Sequence, residues 1–154
     1  MLYQWENNTS LWYVSNTLTP FSRFTLEQYV LNSHMDIYTA KQLRMMIIRN
    51  EDKAAAGTID LFDFDPFHKR AGLGIMILEE YRRQGYATEV LELMKSYCFD
   101  TLALHQLYCN IAEDNTISRD LFLKSGFTIA GIKKQWLYDK GKWKDEHFLQ
   151  LINL

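Results

Sequence analysis

The chain has 154 residues, of which 47% are hydrophobic and 14% aromatic, and this length and composition fit a single globular domain over residues 1–154. The formal net charge is −2 and no block of Lys and Arg occurs, so we expect no nucleic-acid partner. No apolar stretch is long enough to cross a bilayer and the first residues do not form a signal peptide, so we expect a cytoplasmic protein without a membrane partner.

The N-terminal segment predicts helices before the first strand. Residues 1–8 resemble the end of a helix, with a pair of asparagines as the stop signal. The residues from Thr25 to Gln28 fit a capping box that opens a helix running to about Ser33. The aromatic residues of this segment fit a core better than a substrate pocket, but both interpretations are open for Trp12, Tyr13, Phe21, Phe24 and Tyr29.

Two predicted strands form a hairpin. Residues 43–49 and 57–64 are apolar or alternating and are separated by a short polar turn. The second strand ends among three aspartates, and a period of two puts Asp63 and Asp65 on one face of the sheet and Asp60 on the other. The favoured explanation is that these carboxylates lie on a solvent-exposed face of the sheet. The alternative is that they form an acidic entrance to a binding site for a cationic amine.

A nearly unbroken apolar run over residues 71–78 predicts a strand that is covered on both faces. A loop over residues 82–87 follows, and an apolar pattern with helical spacing then begins at Thr88 and continues to Cys98. A loop that enters a helix presents unpaired N–H groups at the positive end of the helix dipole. Such a loop suits a phosphate or pyrophosphate group.

The loop itself has the spacing R-x-x-G-x-A. Arg82 and Arg83 supply positive charge, Gly85 allows a close backbone approach or a positive φ, and the small Ala87 leaves room in the first helical turn. Alone, this short motif is equally consistent with an ordinary turn that carries two solvated arginines.

The rest of the chain predicts a strand over residues 106–112, a helix from Thr116 to Lys124, and a closing hairpin that pairs residues 127–138 with residues 143–152. Strands and helices alternate, so the fold class is α/β (α+β) with a mixed sheet flanked by helices. The cysteines lack the spacing of a disulfide or metal site, so we expect no metal and two buried free thiols, Cys98 and Cys109.

A second motif runs from Asn115 to Phe127 and reads N-x-x-S-x-x-L-F-x-K-x-G-F. Together with the loop motif about thirty residues upstream, it resembles the Gcn5-related N-acetyltransferases (GNAT), and within them the branch of ribosomal-protein N-terminal and spermidine acetyltransferases. The resemblance covers about Leu43 to the C-terminus and implies a twisted mixed sheet with a splayed cofactor cleft. Because Met1 stands only four residues before Trp5, it is open whether the first strand of this fold is missing.

The resemblance implies that acetyl-CoA is the cofactor and acetyl donor. It puts the thioester carbonyl near the N–H of Ile77 and the pantetheine or phosphate side near Asn115, which also fits an N-cap for the following helix. The implied pyrophosphate site is the loop of Arg82, Arg83, Gln84, Gly85, Tyr86 and Ala87.

The catalytic residues of the family are only partly present. Ser118 fits the serine that serves near the sulfur, which makes it the candidate proton donor, and an ordinary helix serine is an equal alternative. Many relatives have a tyrosine at the position of Phe122 and a glutamate base near the position of Gly72, and neither a phenyl ring nor a glycine transfers a proton. His68, in the turn before the strand, is either a proton relay or a solvated side chain.

Two functions therefore remain open. The leading hypothesis is an N-acetyltransferase acting on a protein N-terminus, a polyamine or another small amine, and the intact loop and Ser118 favour it. The alternative is a non-catalytic CoA-binding or regulatory module, which Phe122 and Gly72 favour. A homodimer is a further open expectation.

Overall fold

A six-stranded sheet is the frame of the molecule, in the order β1-β2-β3-β4-β6-β5. The computed structural model describes residues 1–10 and 17–154, so the predictions for Trp12 and Tyr13 lie outside the described residues. Strands β3 and β4 run parallel, whereas the other neighbouring pairs are antiparallel, so the sheet is mixed as the sequence predicts. The strands are β1 (Leu43–Ile48), β2 (Ala55–Asp65), β3 (Arg70–Ile77), β4 (Gln106–Ala112), β5 (Thr128–Asp139) and β6 (Lys142–Ile152).

In the described part of the chain, helices α1 to α3 precede the sheet, and α4 and α5 are inserted within it. No described strand comes before β1, which forms one edge of the sheet. Over the described residues, none of the helices combines the length and the apolar character needed to span a bilayer. The helices are α1 (Leu2–Glu6), α2 (Arg23–Leu31), α3 (Ile37–Ala40), α4 (Tyr86–Ser96) and α5 (Thr116–Lys124).

The start of α2 differs from the predicted one. Ser22 is the N-cap, and its hydroxyl accepts a hydrogen bond of 3.0 Å from the backbone N–H of Thr25. The predicted capping box at Thr25 is therefore wrong. The chain before this helix is held by Asn7, whose side chain accepts from the N–H of Phe21 at 2.7 Å and donates to its carbonyl at 2.9 Å. This tertiary contact fixes where the helix begins.

The core lies on one face of the sheet. Alternate residues of β2, β3 and β4 are buried there, and α4 covers them with Leu91 and Met94. From α5, Phe122 joins the same cluster and meets the ring of Phe127 edge-on, with the centroids 5.0 Å apart. The other face therefore stays available for polar side chains. Both predicted free thiols, Cys98 and Cys109, are buried in this core.

The parallel pair opens after three residues. Strand β3 pairs with β4 from Arg70 to Gly72, opposite residues 106–108, and beyond Gly72 no further pairing occurs. The predicted cleft between these two strands is confirmed. A Cβ atom at Gly72 would lie 2.2 Å from the ring of Phe62, so glycine is needed for the close approach of that ring.

A bulge near the end of β2 changes the predicted faces of the aspartates. Asp63 has a φ of 47°, and the register with β3 shifts between Phe62 and Asp65. Phe64 is consequently buried on the same side as Leu61. Asp65 falls into phase with Asp60, so the prediction that they lie on opposite faces is wrong.

Candidate active site

The gap between β3 and β4 is a cavity of about 180 Å³ that reaches both faces of the sheet. Its walls come from all six strands, from the end of α1 and from the first part of α5. The predicted residues Asn115 and Ser118 both line it, as does Phe122. His68 is not among the lining residues and lies in an exposed turn, its ring edge-on to Phe67.

The backbone of β3 presents hydrogen-bonding groups to this cleft. The N–H of Leu78 donates to the carbonyl of Ala56 at 2.8 Å. Because antiparallel residues alternate between bonding to the partner strand and pointing away from it, the groups directed toward the opened side are the C=O of Leu73, the N–H and C=O of Ile75 and the N–H of Ile77. There β4 has already separated. An extended ligand lying along β3 would satisfy these groups.

The predicted anion loop joins the end of β3 to α4. Gly85 is the N-cap of α4 with a φ of 86°, and no side chain caps the helix. A Cβ atom at Gly85 would meet nothing within 4 Å, so the glycine is needed for its backbone conformation and not for space. Arg83 also has a positive φ, of 63°. The first turn, which contains Tyr86 and Ala87, therefore has free N–H groups for an anion.

Side chains of the loop are partly engaged within the protein. The Nε of Arg82 donates to the carbonyl of Ile77 at 3.0 Å, which ties the loop to the cleft end of β3. The amide nitrogen of Gln84 donates to the carbonyl of Glu80 at 3.2 Å. These two bonds fix the path of the loop and leave its backbone available.

The start of α5 brings two predicted residues together. Asn115 is the N-cap, and its Oδ1 accepts from the N–H of Ser118 at 3.3 Å. Ser118 is half-buried, and its hydroxyl is not used in this cap. One turn later, Phe122 is 2% exposed and also lines the cleft. Ser118 is therefore the hydroxyl that α5 supplies to the cavity.

An ion-pair cluster lies on the polar face of the cleft. Arg44 on β1 binds Asp60 on β2 with two bonds, Nε to Oδ1 at 2.7 Å and Nη2 to Oδ2 at 2.8 Å. Its Nη1 also binds the carboxylate of Glu6 at the end of α1. All three residues line the cavity. Of these three residues the sequence singles out only Asp60; Arg44 lies opposite it in the observed register of β1 and β2.

A second charged pair lies on the same face. Glu146 on β6 is 5% exposed and lines the cavity, and its Oε2 accepts from the Nζ of Lys133 on β5 at 3.1 Å. The same Nζ donates to the Oδ1 of Asn110 at 2.8 Å. This cluster depends on the register of three strands, so local sequence patterns do not predict it.

The cavity also contains one thiol. Cys109 lines the cleft from β4 and is 2% exposed. Burial raises the pKa of this thiol to about 12. The group is therefore an uncharged, apolar part of the wall at neutral pH and not a nucleophile.

A family model described as "Acetyltransferase (GNAT) domain" matches residues 1–128. The chain belongs to the GNAT acetyltransferase family. Acetyl-CoA is the acetyl donor of GNAT enzymes, and this GNAT chain is an N-acetyltransferase that moves the acetyl group to an amine. The predicted family and enzyme class are thereby confirmed.

Two curated relatives and one solved structure document the similarity. The uncharacterized N-acetyltransferase YoaA of Bacillus subtilis (strain 168) is 32% identical over 117 residues, which are 75% of this chain and 66% of the relative. The spermidine N(1)-acetyltransferase of Escherichia coli (strain K12) is 25% identical over 147 residues, 94% of this chain and 75% of the relative. This GNAT chain therefore spans two thirds to three quarters of these relatives.

The structural comparison supports the fold. A crystal structure of spermidine N-acetyltransferase from Vibrio cholerae, in complex with CoA and spermine, superposes with a TM-score of 0.85 at 22% identity. The match covers 98% of this chain and 87% of that one. The predicted GNAT-type mixed sheet with a splayed cleft is confirmed by this likeness and by the strand register of the GNAT chain itself.

Proposed function

We propose that the cleft between β3 and β4 is the acetyl-transfer site and that a polyamine is the favoured acceptor. The observation that carries the proposal is the early end of the β3–β4 pairing, after Gly72. Strand β3 leads from this opening to the uncapped helix start at Gly85, and carboxylates line the polar face of the opening. A donor lying along β3 and an amine arriving over Asp60 and Glu146 would meet in this opening.

The loop over residues 82–87 is proposed to hold the pyrophosphate of acetyl-CoA. The uncapped start of α4 at Gly85 supports this, because free N–H groups and the helix dipole both favour an anion. When bound, acetyl-CoA supplies an activated acetyl carbonyl. The N–H of Ile77 is proposed to face that carbonyl oxygen, and Asn115 to contact the pantetheine beside it.

Ser118 is proposed to protonate the departing thiolate. Its hydroxyl lines the cleft, while the helix cap formed by Asn115 uses only its backbone N–H. Phe122, where many relatives carry a tyrosine, has no proton to give. Ser118 is thus the candidate acid from α5 for this step.

The charge of the polar face favours a cationic acceptor. Three carboxylates line the cavity, those of Glu6, Asp60 and Glu146, against the guanidinium of Arg44. The similarity to a spermidine N(1)-acetyltransferase supports the same choice. A protein α-amine is the alternative acceptor, because it is also a primary ammonium group in solution.

The rate of acetyl transfer measured against ionic strength distinguishes these acceptors. Several charges on a polyamine bind through long-range attraction, so its apparent affinity should fall steeply as salt is added. A short peptide should depend more on its first side chains and less on salt. If calorimetry shows acetyl-CoA binding while neither acceptor is acetylated, the non-catalytic CoA-binding module becomes the better account.

The proposed compartment is the cytoplasm, and the proposed assembly is a homodimer. Both cysteines are buried free thiols, which supports a reducing compartment such as the cytoplasm.

A homodimer is supported by the edge strand β5, where Ile132 and Trp136 are exposed apolar side chains. Light scattering on the purified chain tests the dimer, and a monomer at micromolar concentration would exclude it.

A further inference from the structure

The carboxylate of Glu146 is placed for proton transfer in the cleft. It is one of the few buried charged groups of the described chain, 5% exposed, and it lines the cavity from β6. Its Oε2 is bound by Lys133 at 3.1 Å, which leaves Oε1 for a group in the cleft. Lys133 is held in turn by Asn110, so the carboxylate has a fixed position.

The other carboxylates of the cavity are less available. Both oxygens of Asp60 are bound by the guanidinium of Arg44, at 2.7 and 2.8 Å. Glu6 binds the same guanidinium and lies at the end of a short helix. An arginine does not release its proton, so each of these groups is held in an ion pair. At Gly72, where many relatives carry a base, the space is filled by the ring of Phe62.

Strand register puts Glu146 on the face opposite α5. It pairs with Ala112 of β4, two residues beyond Asn110, and these alternate with the buried core residues Cys109 and Ile111. Ser118 reaches the cleft from α5, whose Phe122 packs into that core. An acid and a base thus approach the cavity from opposite faces, so the attacking nitrogen and the departing sulfur can each meet a proton-transfer group of their own.

We infer that Glu146 is the general base that deprotonates the acceptor amine. This inference rests on the proposed function. Glu146 takes one proton from the acceptor ammonium and returns it to water, and the neutral amine forms the new bond to the acetyl carbon. The carbon–sulfur bond breaks with its electron pair on sulfur, and the second proton lost by nitrogen reaches sulfur through the hydroxyl of Ser118. The net products are the amide, the free thiol of CoA and one proton.

Lys133 has the role of a positioning residue. Its ammonium lies 5.3 Å from the ring centroid of Trp136 and 5.7 Å from that of Phe148, besides its bonds to Asn110 and Glu146. These contacts restrict the lysine and, through it, the carboxylate. The other charged groups at the cavity, on α1, β1 and β2, are already paired with one another.

The variant Glu146→Gln keeps the shape of the side chain and removes the base. At ~pH 7, where an alkylamine is almost entirely protonated, its turnover should be lower than that of the parent by about 10²- to 10⁴-fold. The ratio of parent to variant rates should shrink as the pH approaches ~10, because the amine then supplies its own neutral form. The affinity of the variant for acetyl-CoA, measured by calorimetry, should equal that of the parent. This measurement is the control that the variant is folded.

Two further variants separate base catalysis from a structural role. Lys133→Met keeps the base, so it should retain more activity than Glu146→Gln and the same pH trend as the parent. Glu92→Gln changes an exposed carboxylate on α4 that pairs only locally with Lys95, so it should behave as the parent does.

The outcomes distinguish the inference from the function on which it rests. An active parent with Glu146→Gln equally active, or with a rate ratio that does not change with pH, would overturn the inference alone. If Glu146→Gln and Lys133→Met lose the same amount of activity at every pH, the pair has a structural role only, and the inference is overturned as well. A parent that acetylates no amine would overturn the proposed function and the inference together.

Discussion

Substitution of Gly85 by aspartate tests the anion site at the start of α4. The new side chain meets no atom within 4 Å of its Cβ, so steric damage to the fold is not expected. The φ of 86° is unfavourable for a side chain, at about 1–2 kcal/mol. An aspartate N-cap is only a few tenths of a kcal/mol better than a glycine N-cap, so most of this cost remains. It is small against a folding free energy of about 5–15 kcal/mol, so the variant should fold.

The effect on binding comes from charge. A carboxylate about 6 Å from a phosphate, at an effective dielectric constant of about 20, is repelled by about 3 kcal/mol. Salt screening reduces this value. We therefore expect calorimetry with acetyl-CoA to show an affinity about 10- to 100-fold below that of the parent, which corresponds to about 1.4 to 2.8 kcal/mol.

Gly85→Asn is the matched control. Asparagine has nearly the same size and the same backbone strain but no charge, so it should bind acetyl-CoA much better than Gly85→Asp does. The difference between the two variants should decrease as salt is added. If both variants bind as tightly as the parent at low salt, the pyrophosphate does not lie at this helix terminus and the assignment of the loop is wrong.

Three other predictions concern single side chains. Ser118→Ala should lower turnover by about 10²-fold with little change in acetyl-CoA affinity; an unchanged rate would remove the hydroxyl from the mechanism. Gly72→Ala should lower the free energy of unfolding by about 1–3 kcal/mol, because its methyl group overlaps the ring of Phe62, and Phe62→Leu in the same chain should restore part of it in thermal melts. Cys98 and Cys109, whose pKa values burial raises to about 12, should resist alkylation at ~pH 8 until the protein unfolds; rapid labelling of the native protein would contradict their burial.

Much of the frame follows from local patterns. The apolar runs define β1 to β4, and the three-residue β3–β4 pairing agrees with the expectation that these strands separate to admit a thioester arm. The loop was recognisable because its requirements are local, namely a positive φ at Gly85 and a free helix start. Asn115 and Ser118 share one turn of α5, so their proximity was equally predictable from spacing.

The missed features depend on contacts between distant segments. Two capping signals overlap near the start of α2, and the bonds between Asn7 and Phe21 select the one at Ser22. The bulge at Asp63 inserts one residue into the alternation of β2, which no period-two pattern contains. The Glu146 cluster requires two sheet pairings and an irregular stretch of β5, where three residues oppose one of β6. Such registers are set by the assembled sheet.

The most direct test of the account is product analysis with the purified chain. Incubation with acetyl-CoA and spermidine should give an acetylated amine by mass spectrometry, together with one free CoA thiol for each amide formed. Ser118→Ala and Gly85→Asp should each reduce both products in parallel. Acetyl-CoA that binds in calorimetry but yields no acetylated product with spermidine, short peptides or other primary amines would contradict catalysis in this cleft.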